Sequence, residues 1–203
     1  MFDRLSGHFK TITHHKALVT KTCFRVGLYR QGLLHDLSKY NPVEFLPGVK
    51  YYQGNRSPIS AEKEEKNISE GWLHHKGKNP HHFEYWIDYG IVRTDSPEGK
   101  KKITFQLMGM KMSKRYVAEM VIDRLCASKN YQKEKYTDAH PLEYFMKGSQ
   151  AMLMHPETEY LTRYLLTMLA DRGEEELLSY MKNRLLKNRN GDYHVREGRL
   201  YLD

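Results

Sequence analysis

GLYRQGLLHDLSKYNPVEF, residues 27–45, sets an imidazole, a carboxylate and an ammonium (His35, Asp36 and Lys39) within five residues of an otherwise apolar run. Asn41-Pro42 should stop a helix here, because proline disfavours helical backbone in the residue before it. Read as one short helix, LLHDLSK puts Lys39 four residues after His35 and three after Asp36, on one side of the same turn. Adjacent His and Asp then offer one nitrogen and one oxygen to a shared point, a donor pair that zinc, iron, manganese and cobalt accept. A carboxylate in an apolar helix is costly without such a partner. Alone, the pair fits equally a helix surface with a solvated lysine, so the surrounding chain decides.

Helical period extends outward from this stretch. Ile12, His15, Val19, Cys23 and Val26 form a stripe at three- and four-residue spacing that ends near Gly27. Downstream, VEFLPGVKYY predicts a helix broken or ended around Pro47. Residues 60–76 predict another, between the Ser57-Pro58 and Ser60 start signals and Gly77. NPHHFEYWIDY predicts a helix with Pro80 in its first turn. A strong helix starts at Ser113 and runs through KRYVAEMVIDRLCASK. Two or three more fill 141–190, with breaks near His155-Pro156 and Arg172-Gly173. Segment 94–112, with Pro97, Gly99 and several lysines, reads as an exposed loop leading into a short extended piece. The tail GDYHVREGRLYLD reads as a small hairpin. The expected fold is all-α, a helical bundle of roughly seven to nine helices in one domain over 1–203.

The 203 residues, 39% hydrophobic and 12% aromatic, are enough for one core. No apolar run approaches the roughly 18–20 residues that span a bilayer. MFDRLSGHFKTITHHK lacks the apolar stretch of a secretory signal. Cys23 and Cys126 fall in helical segments without C-x-x-C spacing, which predicts reduced, packed thiols and a cytoplasmic location. The net charge of +8 suits an anionic partner. Basic residues are dispersed, however, and KNRLLKNRNG at 182–191 has no interleaved aromatics to stack on bases, which favours a small phosphorylated molecule over nucleic acid. A homo-oligomer is compatible with this composition.

Of eleven histidines, seven cluster as His14-His15, His35, His74-His75 and His81-His82, a pattern hard to explain by packing. His15 has Ile12, Leu18, Val19 and Cys23 as helical neighbours, which turns it inward, whereas His14 lies toward the surface. His74 and His75 are about 100° apart on a helix, so both need not point inward, and His75 is favoured. Asp123 stacks with Met120, Cys126 and Ala127 on an apolar face. A carboxylate there needs a metal, several hydrogen bonds or a cation such as Arg25 or Arg124.

The H-x-x-x-V helix from His15 to Val19, then His35-Asp36, further histidines and finally Asp123 resemble the metal-dependent HD-domain superfamily over roughly residues 8–130, leaving C-terminal helices over about 141–190. HDLSK is similar to the HD-x-x-K form of HD-GYP phosphodiesterases and of the HD-fold di-iron oxygenases typified by myo-inositol oxygenase. In those groups the lysine, here Lys39, is implied to hold an anionic or hydroxylated substrate against the metals. No GYP follows LHHKGKNPHH, which argues against cyclic-dinucleotide cleavage. The run from GLLHDLSK through GNRSP to LHHKGKNPHHFEYW also resembles a bacterial family of domains of unknown function. The resemblance implies that His15, His35, Asp36 and Asp123 hold one divalent ion, and that His74, His75, His81 or His82 hold a second, each Mn, Fe, Zn, Co or Mg. It implies a phosphohydrolase acting on a nucleotide or other small phosphorylated molecule, with Asp36 and Lys39 catalytic, Lys39, Lys76 and Lys78 neutralising phosphate, and Glu44 orienting water or supporting a ligand. A di-iron oxygenase and a non-catalytic protein stapled by metal are the alternatives.

Overall fold

A computed structural model of the chain describes residues 2–95 and 101–203. In chain order it contains α1 (Phe2–Arg25), α2 (Tyr29–Leu34), α3 (Pro42–Lys50), α4 (Pro58–Lys66), α5 (Glu70–Lys78), β1 (Ile87–Asp95), β2 (Lys101–Gly109), α6 (Lys114–Gln132), α7 (His140–Gly148), α8 (Pro156–Tyr180), β3 (Tyr193–Arg196) and β4 (Arg199–Leu202). The fold is mostly helical, as its periodicity predicts. Two antiparallel hairpins, β1–β2 and β3–β4, correct the all-α expectation.

The apolar stripe of α1 buries Ile12, Val19 and Cys23, with His8 and His15 on the same face. That face meets α6, where Val117, Ala118, Val121, Ile122 and Leu125 are wholly buried. Phe145 of α7, Leu161, Leu165 and Leu169 of α8, and Tyr193 of β3 complete this core. Cys23 and Cys126 are free thiols inside it, their pKa values pushed up by burial. Helix α8 starts at Pro156, with the His155 side chain accepting from the Glu157 N–H, and kinks at Gly173, whose φ of 84° favours glycine. Both breaks lie where Pro and Gly predict them.

Four local expectations need correction. Helix α3 runs through Pro47 to Lys50, with the Tyr51 N–H bonded to the Pro47 carbonyl. Residues 60–76 form parts of two helices: Asn67 adopts a left-handed conformation at φ 64° that ends α4, and the Ser69 hydroxyl then accepts from the Trp72 N–H to start α5. NPHHFEYWIDY is a turn, a 3-10 segment over Phe83–Trp86 and the start of β1, because Ile87 and Ile91 pair across a ladder with Gly109 and Phe105. Segment 94–112 accordingly contributes the return strand of a hairpin whose Met110 N–H bonds the Trp86 carbonyl; Pro97 and Gly99 lie outside the described residues. No helix among the described residues is long and apolar enough to cross a membrane.

Candidate metal centre

The largest departure from sequence expectation occurs at His35-Asp36. Helix α2 ends at Leu34, His35 turns extended at φ −50° and ψ 126°, and Asp36 adopts the left-handed conformation at φ 53° and ψ 23° before a 3-10 turn over Leu37–Tyr40. Successive side chains on a continuous helix diverge by about 100°, so an unbroken LLHDLSK would have separated them. The break instead brings His35 Nε2 to 3.3 Å from Asp36 Oδ2. Asp tolerates this backbone better than most residues.

Two donor groups meet at Asp36. In the first, His15 Nε2 lies 2.9 Å from Asp123 Oδ1 and 3.8 Å from Asp36 Oδ2, and His35 Nε2 lies 3.4 Å from the same Asp123 oxygen. In the second, Asp36 Oδ1 is 3.3 Å from His75 Nε2 and 3.4 Å from His81 Nε2, while His75 Nε2 and His82 Nε2 are 2.9 Å apart. Asp36 therefore aims one oxygen into each group. The donor atoms of each lie within 4.8 Å of one another. Four helices or turns far apart in sequence supply them: α1, the α2–α3 connection, the C-terminal half of α5 with the turn after it, and α6.

The remaining imidazole nitrogens explain why these rings are held so. Glu119 Oε1 accepts from His35 Nδ1 at 3.1 Å and from His81 Nδ1 at 3.2 Å, and its other oxygen accepts from Gln31 at 3.2 Å. Glu44 accepts from His74 Nδ1 at 2.6 Å and from His75 Nδ1 at 2.7 Å. Asn79 donates to Ser38 Oγ and to the His75 carbonyl. A His that gives its Nδ1–H to a carboxylate presents a lone pair at Nε2, the state in which it ligates metal. Among the described residues, buried His35 Nε2, His81 Nε2 and Asp36 Oδ1 make no hydrogen bond, although all point into the donor groups. Buried polar atoms are ordinarily satisfied, so these orphans fit divalent ions in both groups.

Glu119 was not singled out by sequence reasoning. Its position four residues before Asp123, amid Ala118, Met120 and Val121, carried the signal, since the same helix face then holds two carboxylates in an apolar setting. Arg25, offered as a partner for Asp123, instead bonds Glu174 and Glu175. Exposed His14 bonds Asn130. His74 lies outside both donor groups, half-buried against Glu44, because its place on α5 is rotated away from that of His75.

Electrostatics of the site follow from its carboxylates. Burial opposes charge on Asp36, yet His35, Lys39 and His75 hold its pKa well below the usual range. Asp123, also opposed by burial, is held low by the hydrogen bond from His15 and by the nearby His35 imidazole. Glu119 is drawn down to about 2 by His35 and His81 against the same burial. Conversely, burial disfavours protonated His35, but Asp36, Asp123 and Glu119 raise its pKa well above the ordinary value. Burial, reinforced by His81 and His75, keeps His82 well below the ordinary value and therefore neutral. The buried carboxylates thus concentrate negative potential around the nitrogen donors, a field that attracts a dication.

A cleft of about 680 Å³ opens beside the donor groups, with His15, Lys39, His75, His82 and Asp123 on its wall. Lys39 Nζ lies 2.6 Å from Asp36 Oδ2. Lys76, half-buried, and Lys78, exposed, are absent from the cleft lining; the lining lysines and arginines are Lys39, Arg56, Lys63, Arg124 and Lys147.

These features define a mainly helical protein in which one aspartate joins two histidine-rich donor groups beside a cleft. The chain belongs to a family described as "Family of unknown function (DUF5662)", whose model matches residues 4–168 and so spans every residue of the centre. No curated protein and no solved structure gives a significant match.

Proposed function

We propose that this protein is a metal-dependent phosphohydrolase of the HD-domain type, acting in the cytoplasm on a small phosphorylated molecule. The observation that carries this reading is the division of the Asp36 carboxylate between two donor groups at the wall of a cleft that also holds Lys39. His15, His35, Asp36 and Asp123 would hold one divalent ion, and Asp36, His75, His81 and His82 a second. When bound, such ions polarise a phosphoryl oxygen and lower the pKa of water toward neutrality.

The chain's own residues supply the rest. Glu119 and Glu44 fix the ring orientation of His35, His81 and His75 through their Nδ1–H groups, so little reorganisation accompanies substrate binding. Lys39 is poised to exchange its contact with Asp36 for a phosphoryl oxygen, which supports electrostatic stabilisation of the charge that builds there. Glu44, buried and committed to two histidines, supports the ligands rather than orienting water.

Metal analysis of protein purified without chelator or nickel affinity, followed by turnover of a panel of phosphomonoesters and nucleotides, tests the proposal. Mn, Co, Zn or Mg with phosphate release is the expected result. Two irons with oxygen consumption and no phosphate release would replace it with the oxygenase reading, and metal with neither turnover would leave a structural staple.

A further inference from the structure

The cleft beside the donor groups is lined by five lysine and arginine side chains, and four of them are committed or face solvent. Lys39 pairs with Asp36. Arg56 grips Glu64 at two points, each 2.7 Å. Lys63 and Lys147 are exposed, Lys63 lying 5.3 Å from the centre of the Trp72 ring. Arg124 differs from all of these. It is half-buried, its guanidinium packs 5.4 Å from the Phe145 ring centre, its Nε is shut off from solvent, and it makes no hydrogen bond or ion pair among the described residues.

The two acids nearest in this wall do not neutralise it. Asp123 is committed to His15 and His35 at 2.9 and 3.4 Å. Glu84 lines the same cleft but forms no ion pair with Arg124. A guanidinium nitrogen withdrawn from water and left without an acceptor, as Arg124 Nε is, is costly, and the planar fork matches a carboxylate or phosphate at two points. Arg124 also follows Asp123 directly on α6, so its side chain leaves the helix about 100° away from the donor groups.

We propose that Arg124 is a specificity-determining residue that anchors a second anionic group of the substrate, a carboxylate or a further phosphate, separate from the phosphoryl group held at the donor groups. The substrate is then a phosphate ester with two anionic ends. The inference rests on the phosphohydrolase reading above for the first end only.

Calorimetry on manganese-loaded protein separates the two claims. The probes are methylphosphonate and its carboxylate-bearing relatives phosphonoacetate, 3-phosphonopropionate and 4-phosphonobutyrate, with manganese content measured after each titration. At least one carboxylate-bearing probe should bind wild type about tenfold or more tighter than methylphosphonate, as one charge-assisted contact predicts. Arg124→Gln should erase that gain while leaving methylphosphonate affinity and manganese content unchanged, and Arg124→Lys should keep part of it. No gain in wild type, or a gain that survives Arg124→Gln, overturns the anchor. If methylphosphonate fails to bind while the carboxylate still contributes through Arg124, the anchor stands and the phosphohydrolase reading falls. Should Arg124→Gln not fold, Arg124→Lys decides, a reduced gain supporting the anchor and an unchanged one refuting it.

Discussion

Asp36 does two separable things, and two substitutions distinguish them. Its charge joins the donor groups, and its backbone occupies a left-handed conformation that Asn tolerates and Ala resists. Asp36→Asn should lose bound metal by elemental analysis while remaining folded. Asp36→Ala should lose the metal as well and melt lower than chelator-treated wild type, by the equivalent of about 1–2 kcal/mol for the strained backbone. Wild-type metal content in Asp36→Asn would remove the residue from the centre. Glu119 touches neither donor group's ligand atoms directly but holds two of their rings. Glu119→Ala should weaken metal affinity by about 10–100-fold in competition with a chelator, with helical content retained. Unchanged affinity would show that the rings hold their orientation without it.

Helices α1 and α3 meet through a close contact between His8 and Gly48. A Cβ on Gly48 would overlap the His8 ring, so Gly48→Ala must displace either that buried ring or the helices themselves. The expected destabilisation is about 1–3 kcal/mol by urea unfolding, and no loss would mean the ring swings freely. The same packing makes the contact acid-sensitive. Burial, with a smaller contribution from Lys39, lowers the His8 pKa from 6.5 to about 4. A group whose folded pKa is depressed binds fewer protons folded than unfolded in that window, so stability present above pH 6.5 is lost as pH falls toward 4. Melting temperatures of wild type should therefore fall more steeply across this range than those of His8→Leu. Parallel slopes would assign acid sensitivity to other groups.

At the scale of the whole molecule, the β1–β2 ribbon stands apart from the core that carries the centre. Tyr89 and Phe105 are 69% and 71% exposed, and no strand residue of either belongs to the buried core cluster. Replacing residues 88–108 with a short Gly-Ser turn, and keeping Gly109 because its backbone packs on Leu153–His155, should leave helical circular dichroism and metal content unchanged. A loss of either would tie the ribbon to the centre. The local sequence determined the helical character, the inward turn of His15, the breaks at Pro156 and Gly173, the C-terminal hairpin and the histidine-rich composition of the centre, because periodicity, proline, glycine and capping act over one or two turns. The strand after Trp86 was not legible, since its residues find their partners only across the hairpin and its faces are largely solvent-exposed. Tertiary structure alone decided the rest. Backbone breaks at Asp36 and after Asn79 re-aim neighbouring side chains, and the packing of α6 against α1 delivers Glu119, Asp123 and Arg124 to one cleft; which groups share a point depends on contacts between segments 84 to 108 residues apart, where no local propensity reaches.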